Sequence, residues 1–389
     1  MKATSERTGP GRLRLSRSAP TVIVVGGGDA GLAAALHLAA AGVRVRLVTE
    51  GGRAGYLPGV PDVILGRAPV SRLRVRLELP QIEVIAGRVR EVRPTGVRIG
   101  GDWVPADAVV AAPGLMLARQ RAGGEADRVL PCWDLPSSAR AAGRLSAFER
   151  GTVAVVISSL PYRCPPAPFG LAMRLSRHLD ERGRGVRVVL TTPEAHPLAA
   201  LGPEPGTHLL EACARSGVEV RLGWTPDREA LDSGRVVGED REPLAADLVL
   251  LVPAHRASPL LAPLAGEGPL VPVDQQFQTR WAGLFVAGDA AATSYPRASG
   301  AAVASGTAAA RGVLARLGLS ERGEGGPPQL DCYVGHGGDI YSRLSVRYPQ
   351  GPPPGGRPQV LIEGPSAALG AEFAEGFRGW LRARRSGTR

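Results

Sequence analysis

The sequence has 389 residues, of which 44% are hydrophobic and 21% charged, and this composition indicates two or three globular domains and excludes a wholly disordered chain. No run of 18 or more apolar residues is free of charges, so we expect no transmembrane helix. The net charge of +11 comes from dispersed basic residues, among which Lys2 is the single lysine, and this dispersal disfavours nucleic acid as a partner.

The first 20 residues are polar and basic and lack the apolar core of a secretory signal. We therefore expect a disordered arm over 1–20, a fold that begins at Thr21, and a cytoplasmic protein. In a reducing compartment, four cysteines in a chain of this length do not indicate a disulfide framework, and a cysteine with a role is expected to be catalytic or redox-active. No cysteine or histidine spacing typical of a metal site is present.

The first motif along the chain is a glycine-rich turn. The apolar, β-branched run Thr21–Val25 predicts a buried strand, and it leads into glycines spaced as G-x-G-x-x-G before a predicted helix over 32–41. In this context Gly26 permits a tight turn, Gly28 lets the backbone approach a pyrophosphate, and Gly31 lets the helix pack on the strand. The segment predicts a dinucleotide-binding site, and the alternative is a glycine-rich turn without a ligand.

An acidic residue completes this first unit. A second strand is predicted over 43–49 and ends at Glu50, 19 residues after Gly31. A carboxylate at this distance can accept hydrogen bonds from the adenosine ribose of a dinucleotide. We therefore include Glu50 among the expected cofactor-binding residues.

The central part of the chain lacks a second fingerprint of this kind. A buried strand is predicted over 152–157 and a helix over 171–181, but the residues between them read SSLPYRCPPAPFG. Four prolines and a cysteine leave no N–H-rich cradle for a pyrophosphate. This disfavours a nicotinamide site, although a degenerate one stays open as an alternative.

Two further segments bear on the identity of the dinucleotide. Residues 106–114 read ADAVVAAPG and end at Gly114, and residues 283–293 read GLFVAGDAAAT, with Gly288 and Asp289 before a predicted helix over 299–317. Both segments resemble those of the two-dinucleotide-fold flavoproteins, in which the aspartate bonds the ribityl chain and the next helix points its N-terminus at the flavin. The resemblance implies FAD rather than NAD.

The cysteine-containing segments carry a more specific resemblance. Residues 162–169 (YRCPPAPF) are similar to the Y-[KR]-C-P-P-A-P-[YF]-E motif of sulfide:quinone oxidoreductases and of the flavoprotein subunit of flavocytochrome c sulfide dehydrogenase. Residues 332–338 (CYVGHGG) resemble the second redox-cysteine segment of this family, and their three glycines predict a loop around Cys332. The resemblance extends over about 21–348.

This resemblance implies a reaction and its groups. Cys164 and Cys332 would form a redox pair that holds the sulfur atom of sulfide or polysulfide by thiol–disulfide exchange, with FAD taking the electrons and quinone as the final acceptor. Cys132 is a candidate for a third cysteine found in some of these enzymes. Cys213 lies in a helical pattern and is interpreted as a core residue.

Three residues depart from the family pattern. Gly170 replaces a glutamate, Pro136 replaces a histidine, and Arg297 replaces a lysine. These departures leave room for an altered substrate such as an organic persulfide, for an NAD(P)H-dependent flavin or disulfide reductase of the same superfamily, or for a non-catalytic FAD-binding, sulfur-responsive protein. His196 and His336 are candidate acid–base groups, with exposed loop positions as the alternative.

The final helix is amphipathic. Its apolar stripe consists of Leu369, Phe373, Phe377, Trp380 and Leu381, and arginines crowd its end. A basic helix of this kind can lie in a bilayer interface, so it is a candidate for peripheral contact with the cytoplasmic face of a membrane; the alternative is packing on the core.

The expected fold class is α/β, with two Rossmann-like domains, the FAD-binding one discontinuous, and a small C-terminal segment. The expected divisions are a disordered arm (1–20), the first FAD-binding part (21–118), a central Rossmann-like domain (119–250), the second FAD-binding part (251–318) and the C-terminal segment (319–389).

Overall fold

The structure, a computed structural model, describes residues 19–118, 128–266, 268, 270–319, 329–350 and 356–387. Strands and helices are numbered in chain order. The expected N-terminal arm lies outside the described residues except for its last two residues, and so does the low-complexity segment 320–328.

The first sheet consists of five parallel strands in the order β18-β9-β1-β2-β5. Its strands are β1 (Thr21–Val25), β2 (Arg44–Thr49), β5 (Glu83–Ala86), β9 (Ala108–Ala111) and β18 (Leu284–Val286). The β9 and β18 strands are wholly buried, as their continuous apolar sequences require. Because β18 comes from a distant part of the chain, this sheet is discontinuous in sequence.

The second sheet is also parallel and has five strands, in the order β11-β15-β12-β13-β14. Its strands are β11 (Val129–Pro131), β12 (Gly151–Ile157), β13 (Val186–Thr191), β14 (Val218–Arg221) and β15 (Leu248–Val252). The two parallel sheets confirm the predicted α/β class with two Rossmann-like units.

The C-terminal segment forms a third, antiparallel sheet of β20 (Gln329–Gly337), β21 (Ile340–Arg347) and β22 (Gln359–Ser366). A smaller antiparallel sheet contains β6 (Val89–Arg93), β7 (Gly96–Ile99) and β8 (Asp102–Pro105). The remaining strands form three pairs: β3 (Arg53–Gly55) with β4 (Arg74–Arg76), β10 (Leu115–Leu117) with β16 (His255–Ala257), and β17 (Val271–Pro272) with β19 (Ala291–Ala292).

Ten α-helices lie among the described residues, six of them longer than five residues. These are α1 (Asp29–Ala40), α4 (Leu135–Ser146), α5 (Ala167–Asp180), α6 (Pro203–Arg215), α9 (Ser299–Arg316) and α10 (Ala367–Ser386). The short ones are α2 (Val60–Ile64), α3 (Val70–Leu73), α7 (Arg228–Asp232) and α8 (Ala262–Ala265). No helix in the described ranges is long and apolar enough to cross a membrane.

Two local features differ from the sequence-based expectations. The α5 helix begins at Ala167, four residues before the predicted start at 171, because prolines are well tolerated in the first turn of a helix. Cys332 was expected in a glycine-rich loop, but it lies within strand β20. As in α5, a proline occupies the first turn of α4. This residue is Pro136, and Asp134 caps the helix by accepting a hydrogen bond from the Ser137 N–H at 2.7 Å.

Candidate functional site

A cleft of about 730 Å³ opens at the carboxyl ends of the strands of the first sheet. Parallel sheets bind ligands at this edge. Six of the seven expected cofactor-binding residues line the cleft: Gly26, Gly28, Glu50, Gly114, Gly288 and Asp289. Gly31 itself lies beneath the cleft, in the contact between α1 and β1.

The glycines of the first turn have distinct roles. Gly26 has φ +106°, and a Cβ atom there would lie 2.2 Å from the Ala112 carbonyl oxygen. A Cβ atom on Gly31 would lie 1.9 Å from the Gly26 carbonyl oxygen. Beside Gly28, by contrast, no atom lies within 4 Å of where a Cβ would stand. The turn is therefore closed towards the protein and open towards the cleft, as a bound pyrophosphate requires.

The second half of the cleft is built by the Gly288–Asp289 turn and helix α9. The Gly288 N–H donates to the Ser305 hydroxyl at 2.8 Å, which fixes the turn on the helix. Gly306 lets α9 approach α1 closely, because a Cβ there would lie 2.1 Å from the Ala30 carbonyl oxygen. The N-termini of α1 and α9 thus meet at one cleft, which is an arrangement suited to a bound anion.

Asp289 is the buried acidic group of this cleft. Burial raises the pKa of its carboxyl group, and the guanidinium groups of Arg163 and Arg297 act in the opposite direction. Its carboxylate oxygens can accept hydrogen bonds from a hydroxylated chain in the cleft. These residues and the open side of the glycine turn fit FAD, the cofactor expected from the sequence.

A second cavity, of about 310 Å³, adjoins the cleft. Cys164 and Cys332 both line it, although 168 positions separate them in the sequence. Asp29, Leu57, Arg163 and Ser299 line both the cavity and the cleft. The structure thus brings the two predicted redox cysteines together next to the dinucleotide site; we refer to this space as the cysteine cavity.

Cys164 lies in a constrained backbone conformation. Its φ is +53°, which is uncommon for a residue other than glycine. Its N–H donates to the Arg297 carbonyl oxygen at 2.6 Å, and its carbonyl oxygen accepts from the Ala167 N–H at 2.8 Å. These bonds connect the cysteine to the start of α5 on one side and to the segment before α9 on the other. Arg297 therefore holds the Cys164 backbone through its carbonyl oxygen, in addition to acting on Asp289 through its charge.

Both cysteines are free thiols in the structure. Burial raises the pKa of Cys164 to about 11, and burial, with a further contribution from Cys164, raises the pKa of Cys332. Since the thiolate is the nucleophile, neither sulfur is activated at neutral pH by the protein groups alone.

The wall of the cysteine cavity is closely packed at Gly170. A Cβ atom on Gly170 would lie 3.2 Å from the Gly335 N atom, so α5 and β20 approach closely at this pair of glycines. Next to this contact, the buried Arg174 pairs with Asp62. The cavity therefore has a guanidinium rather than a glutamate on its α5 side.

The other two cysteines lie elsewhere. Cys132 is fully buried, its thiol donates to the Leu251 carbonyl oxygen at 3.4 Å, and it is not among the residues that line the cysteine cavity. Its neighbour Trp133 lines the cavity instead. The proposed third catalytic position is thus directed into the core of the second sheet. Cys213 is buried in α6, as its helical pattern predicts.

Neither candidate histidine lines the cysteine cavity. His196 Nε2 lies 3.1 Å from the Pro203 carbonyl oxygen at the start of α6. The alternative of an exposed loop does not hold for His336, which lies half-buried in β20 with its Nε2 2.6 Å from the Ser342 hydroxyl. Burial lowers the pKa of His336 to about 4, so this ring is neutral at pH 7.

The C-terminal helix packs inwards. Trp380 and Leu369 are buried, and the Tyr56 ring lies 4.7 Å from Phe377 and 5.1 Å from Trp380, centroid to centroid. Phe373 and Trp380 also line the cysteine cavity. These side chains of the apolar stripe therefore pack on the core, which was the alternative to membrane contact.

Several residues of the site carried no signal in the sequence. Asp29 lies within the glycine turn, and Arg384 lies in the expected basic cluster at the end of α10, yet the two form an ion pair. The sequence motif 162–169 assigned no role to Arg163, but this residue lines both the cleft and the cysteine cavity. Only contact between distant segments reveals these roles.

Comparison with known proteins gives a match to a family model over part of the chain and a set of similar folds. A family model described as pyridine nucleotide-disulphide oxidoreductase matches residues 20–130. The structure is similar to that of the sulfide:quinone oxidoreductase from the hyperthermophilic bacterium Aquifex aeolicus, with a TM-score of 0.76 and 18% identity over 94% of this chain and 92% of that one.

Two other solved structures share the fold. An NAD-dependent persulfide reductase from A. fulgidus has a TM-score of 0.61 and 19% identity over 84% of this chain and 64% of that one. A chain in the mitochondrial ATP synthase of Tetrahymena thermophila has a TM-score of 0.70 and 13% identity over 99% of both chains. At these identities the likeness establishes the fold alone, which is the two-dinucleotide fold expected from the sequence.

Proposed function

We propose that this chain is a FAD-dependent oxidoreductase that oxidises sulfide or a persulfide through Cys164 and Cys332 and delivers the electrons to a quinone. The observation that carries the proposal is the position of both cysteines in one cavity that shares Asp29, Arg163 and Ser299 with the dinucleotide cleft. A cysteine pair next to a dinucleotide cleft suits two-electron sulfur chemistry. The quinone rests on likeness to the A. aeolicus enzyme and is tested separately below.

The cysteines would carry the sulfur. In the oxidised pair, hydrosulfide attacks one sulfur of the Cys164–Cys332 disulfide, so that a persulfide forms on that cysteine and the other leaves as a thiolate. A second hydrosulfide would then attack the outer sulfur of the persulfide and carry it away as the zero-valent sulfur of a polysulfide, which leaves both cysteines as thiolates. These two thiolates would give up two electrons as their disulfide re-forms. FAD supplies a two-electron acceptor when bound, and a quinone that takes up these electrons and two protons becomes a quinol.

The protein groups around the pair would manage charge and protons. Arg174 is compensated by its ion pair with Asp62, so Arg163 is the cation of the cavity wall that would bind an anionic donor such as hydrosulfide. The family glutamate is absent at Gly170, but the neighbour of Cys332 in the sequence, Asp331, is an acidic residue among those that line the same cavity. We assign to Asp331 the acceptance of the proton that the sulfur donor releases.

Anaerobic titration of the purified flavoprotein with sulfide, recorded by its visible spectrum, tests the donor. We expect bleaching with two electrons per flavin, and we expect Cys164→Ser and Cys332→Ser to slow it by roughly a hundredfold or more. The matched control is Cys213→Ser, because Cys213 is buried in α6, and it should react like the parent. A flavin unresponsive to both sulfide and polysulfide would overturn the proposal.

Two further arms identify the acceptor and the main alternative. Addition of a short-chain quinone to the sulfide-reduced protein should restore the oxidised spectrum, and failure to do so would overturn the quinone assignment alone. Rapid bleaching by NADH, with the Cys164→Ser variant unimpaired, would instead establish a nicotinamide-dependent reductase.

A further inference from the structure

The last two turns of α10 lie against the first turn of α1. The guanidinium of Arg384 pairs with Asp29 Oδ1, and the Trp380 Nε1–H donates to the same oxygen at 3.1 Å. The Ser299 hydroxyl, at the start of α9, donates to the other oxygen, Oδ2. Three groups from α9 and α10 therefore bind the one carboxylate of α1, and Asp29 lines both the dinucleotide cleft and the cysteine cavity.

The Arg384 side of this ion pair is buried, and the Asp29 side is partly buried. The side chain of Arg384 is 5% exposed and that of Asp29 is 20% exposed. The guanidinium also stacks over the Trp380 ring at 3.9 Å from the centroid. Burial lowers the pKa of Arg384 to about 10, which still leaves it charged at neutral pH. A buried charge must be compensated, so either partner alone would be costly.

Asp29 occupies a position where a negative charge conflicts with the proposed ligand. It follows Gly28, whose open side faces the cleft, and it is the first residue of α1. The N–H groups of this helix end are the donors for a pyrophosphate. An uncompensated carboxylate there would repel the two negative charges of the pyrophosphate, and solvent could screen it only in part.

We propose that Arg384 is a positioning residue of the dinucleotide site: by neutralising and orienting Asp29, the docked C-terminal helix sets the affinity of the cleft for FAD. Trp380 and Ser299 hold the carboxylate turned towards Arg384. This inference rests on the proposed flavoprotein function, and it assigns the end of α10 to the cofactor site rather than to a membrane surface. By linkage, bound FAD must in turn stabilise the docking of α10.

The first test is a mutant cycle read out as the dissociation constant of FAD, measured by flavin fluorescence on protein depleted of cofactor. Arg384→Met leaves Asp29 charged and unpaired, so we expect FAD to bind roughly tenfold more weakly or worse. Asp29→Asn combined with Arg384→Met removes both charges and should restore the affinity to within about threefold of the parent. The matched control is Arg385→Met, one residue further along the same helix and exposed.

The outcomes separate the inference from the proposed function. A parent protein that does not bind FAD overturns both. A parent that binds FAD together with an unaffected Arg384→Met variant, or with a double variant as weak as the single one, overturns the role of the ion pair alone.

A second measurement uses the parent protein only, and so does not depend on the folding of any variant. Trypsin cleaves after arginines, and α10 carries several over 378–385. We expect saturating FAD to slow cleavage in this segment severalfold relative to cofactor-depleted protein. Cleavage at the same rate with and without FAD would contradict the linkage.

Discussion

The two parallel sheets of this molecule use the same scaffold position for opposite purposes. In the first sheet, β1 passes into α1 through a short glycine turn that is open towards its cleft at Gly28. In the second, β12 passes into α5 through the longer segment 158–166, which is rich in proline and carries Cys164 at φ +53°. Both turns lie at the carboxyl ends of parallel strands.

The difference shows how one architecture can hold a cofactor or present a reactive group. A glycine turn exposes N–H donors and leaves room for a ligand that supplies its own chemistry. A proline-rich turn has few donors and little freedom, and it fixes one side chain against its surroundings. The two turns converge, because Arg163 from the second one lines the cleft of the first.

Adding a side chain on the closed side of the glycine turn, at Gly26, should have the largest effect. Gly26→Ala requires a positive φ and places a Cβ 2.2 Å from the Ala112 carbonyl oxygen, so we expect loss of FAD binding and a free energy of unfolding lower by about 2 kcal/mol or more. Gly28→Ala meets no protein atom within 4 Å. It should keep the stability of the cofactor-depleted protein and weaken FAD binding alone.

Thermal melts and FAD titrations of these two variants form the measurement. Equal losses of stability in Gly26→Ala and Gly28→Ala would contradict the distinction between the two sides of the turn.

We predict that the reactivity of Cys164, in the proline-rich turn, depends on pH. With its pKa raised to about 11 by burial, Cys164 is protonated at pH 7, and its thiolate fraction should rise about tenfold per pH unit towards that value. Alkylation by iodoacetamide, followed by mass spectrometry of the peptide that contains Cys164, should therefore accelerate about a hundredfold between pH 7 and 9. A rate that levels off below pH 9 would show that another group activates the thiol.

Restoring the family residue at the start of α5 should weaken the protein. Gly170→Glu introduces a side chain where a Cβ already lies 3.2 Å from the Gly335 N atom, so we expect the free energy of unfolding to fall by about 1–3 kcal/mol. The control is Gly143→Glu in α4, where no atom lies within 4 Å of the added Cβ. Denaturant unfolding distinguishes them, and an undiminished Gly170→Glu variant would show that β20 can move away from α5.

The smallest effect is expected at the outer end of the dinucleotide cleft. The Glu50 side chain is 72% exposed and pairs with Arg88 at 3.4 Å. Because solvent screens exposed charges, Glu50→Gln should weaken FAD binding by only about threefold, measured by the same fluorescence titration. Glu149→Gln, an exposed change elsewhere, should have no effect. If Glu50→Gln weakened FAD binding as much as Gly26→Ala, the contact between Glu50 and the ribose would be a main source of the affinity for FAD.

The local patterns were sufficient to predict much of the architecture. The apolar runs of β1 and β12, the glycine spacing and the Gly288–Asp289 turn all have local physical causes, so their elements lie where expected. The approach of Cys164 to Cys332 followed from a family resemblance, and neither spacing nor periodicity could supply it.

What could not be predicted depends on contacts between distant segments. Arginine is usually exposed, so nothing in the basic end of α10 indicates that Arg384 is buried on Asp29. The same limit applies to His336 and to Cys132, whose partners Ser342 and Leu251 belong to neighbouring strands. A short motif does not specify which strand will lie beside it.

The order of strands in the first sheet has a consequence for synthesis. Strand β9 is paired with β1 on one side and with β18 on the other, and β18 (Leu284–Val286) is translated after every strand of the second sheet. A nascent chain therefore carries a complete central sheet while the edge of the first sheet beside β9 still lacks its neighbour. Since unpaired strand edges promote aggregation, the first sheet is the part of the newborn chain most in need of protection until β18 emerges.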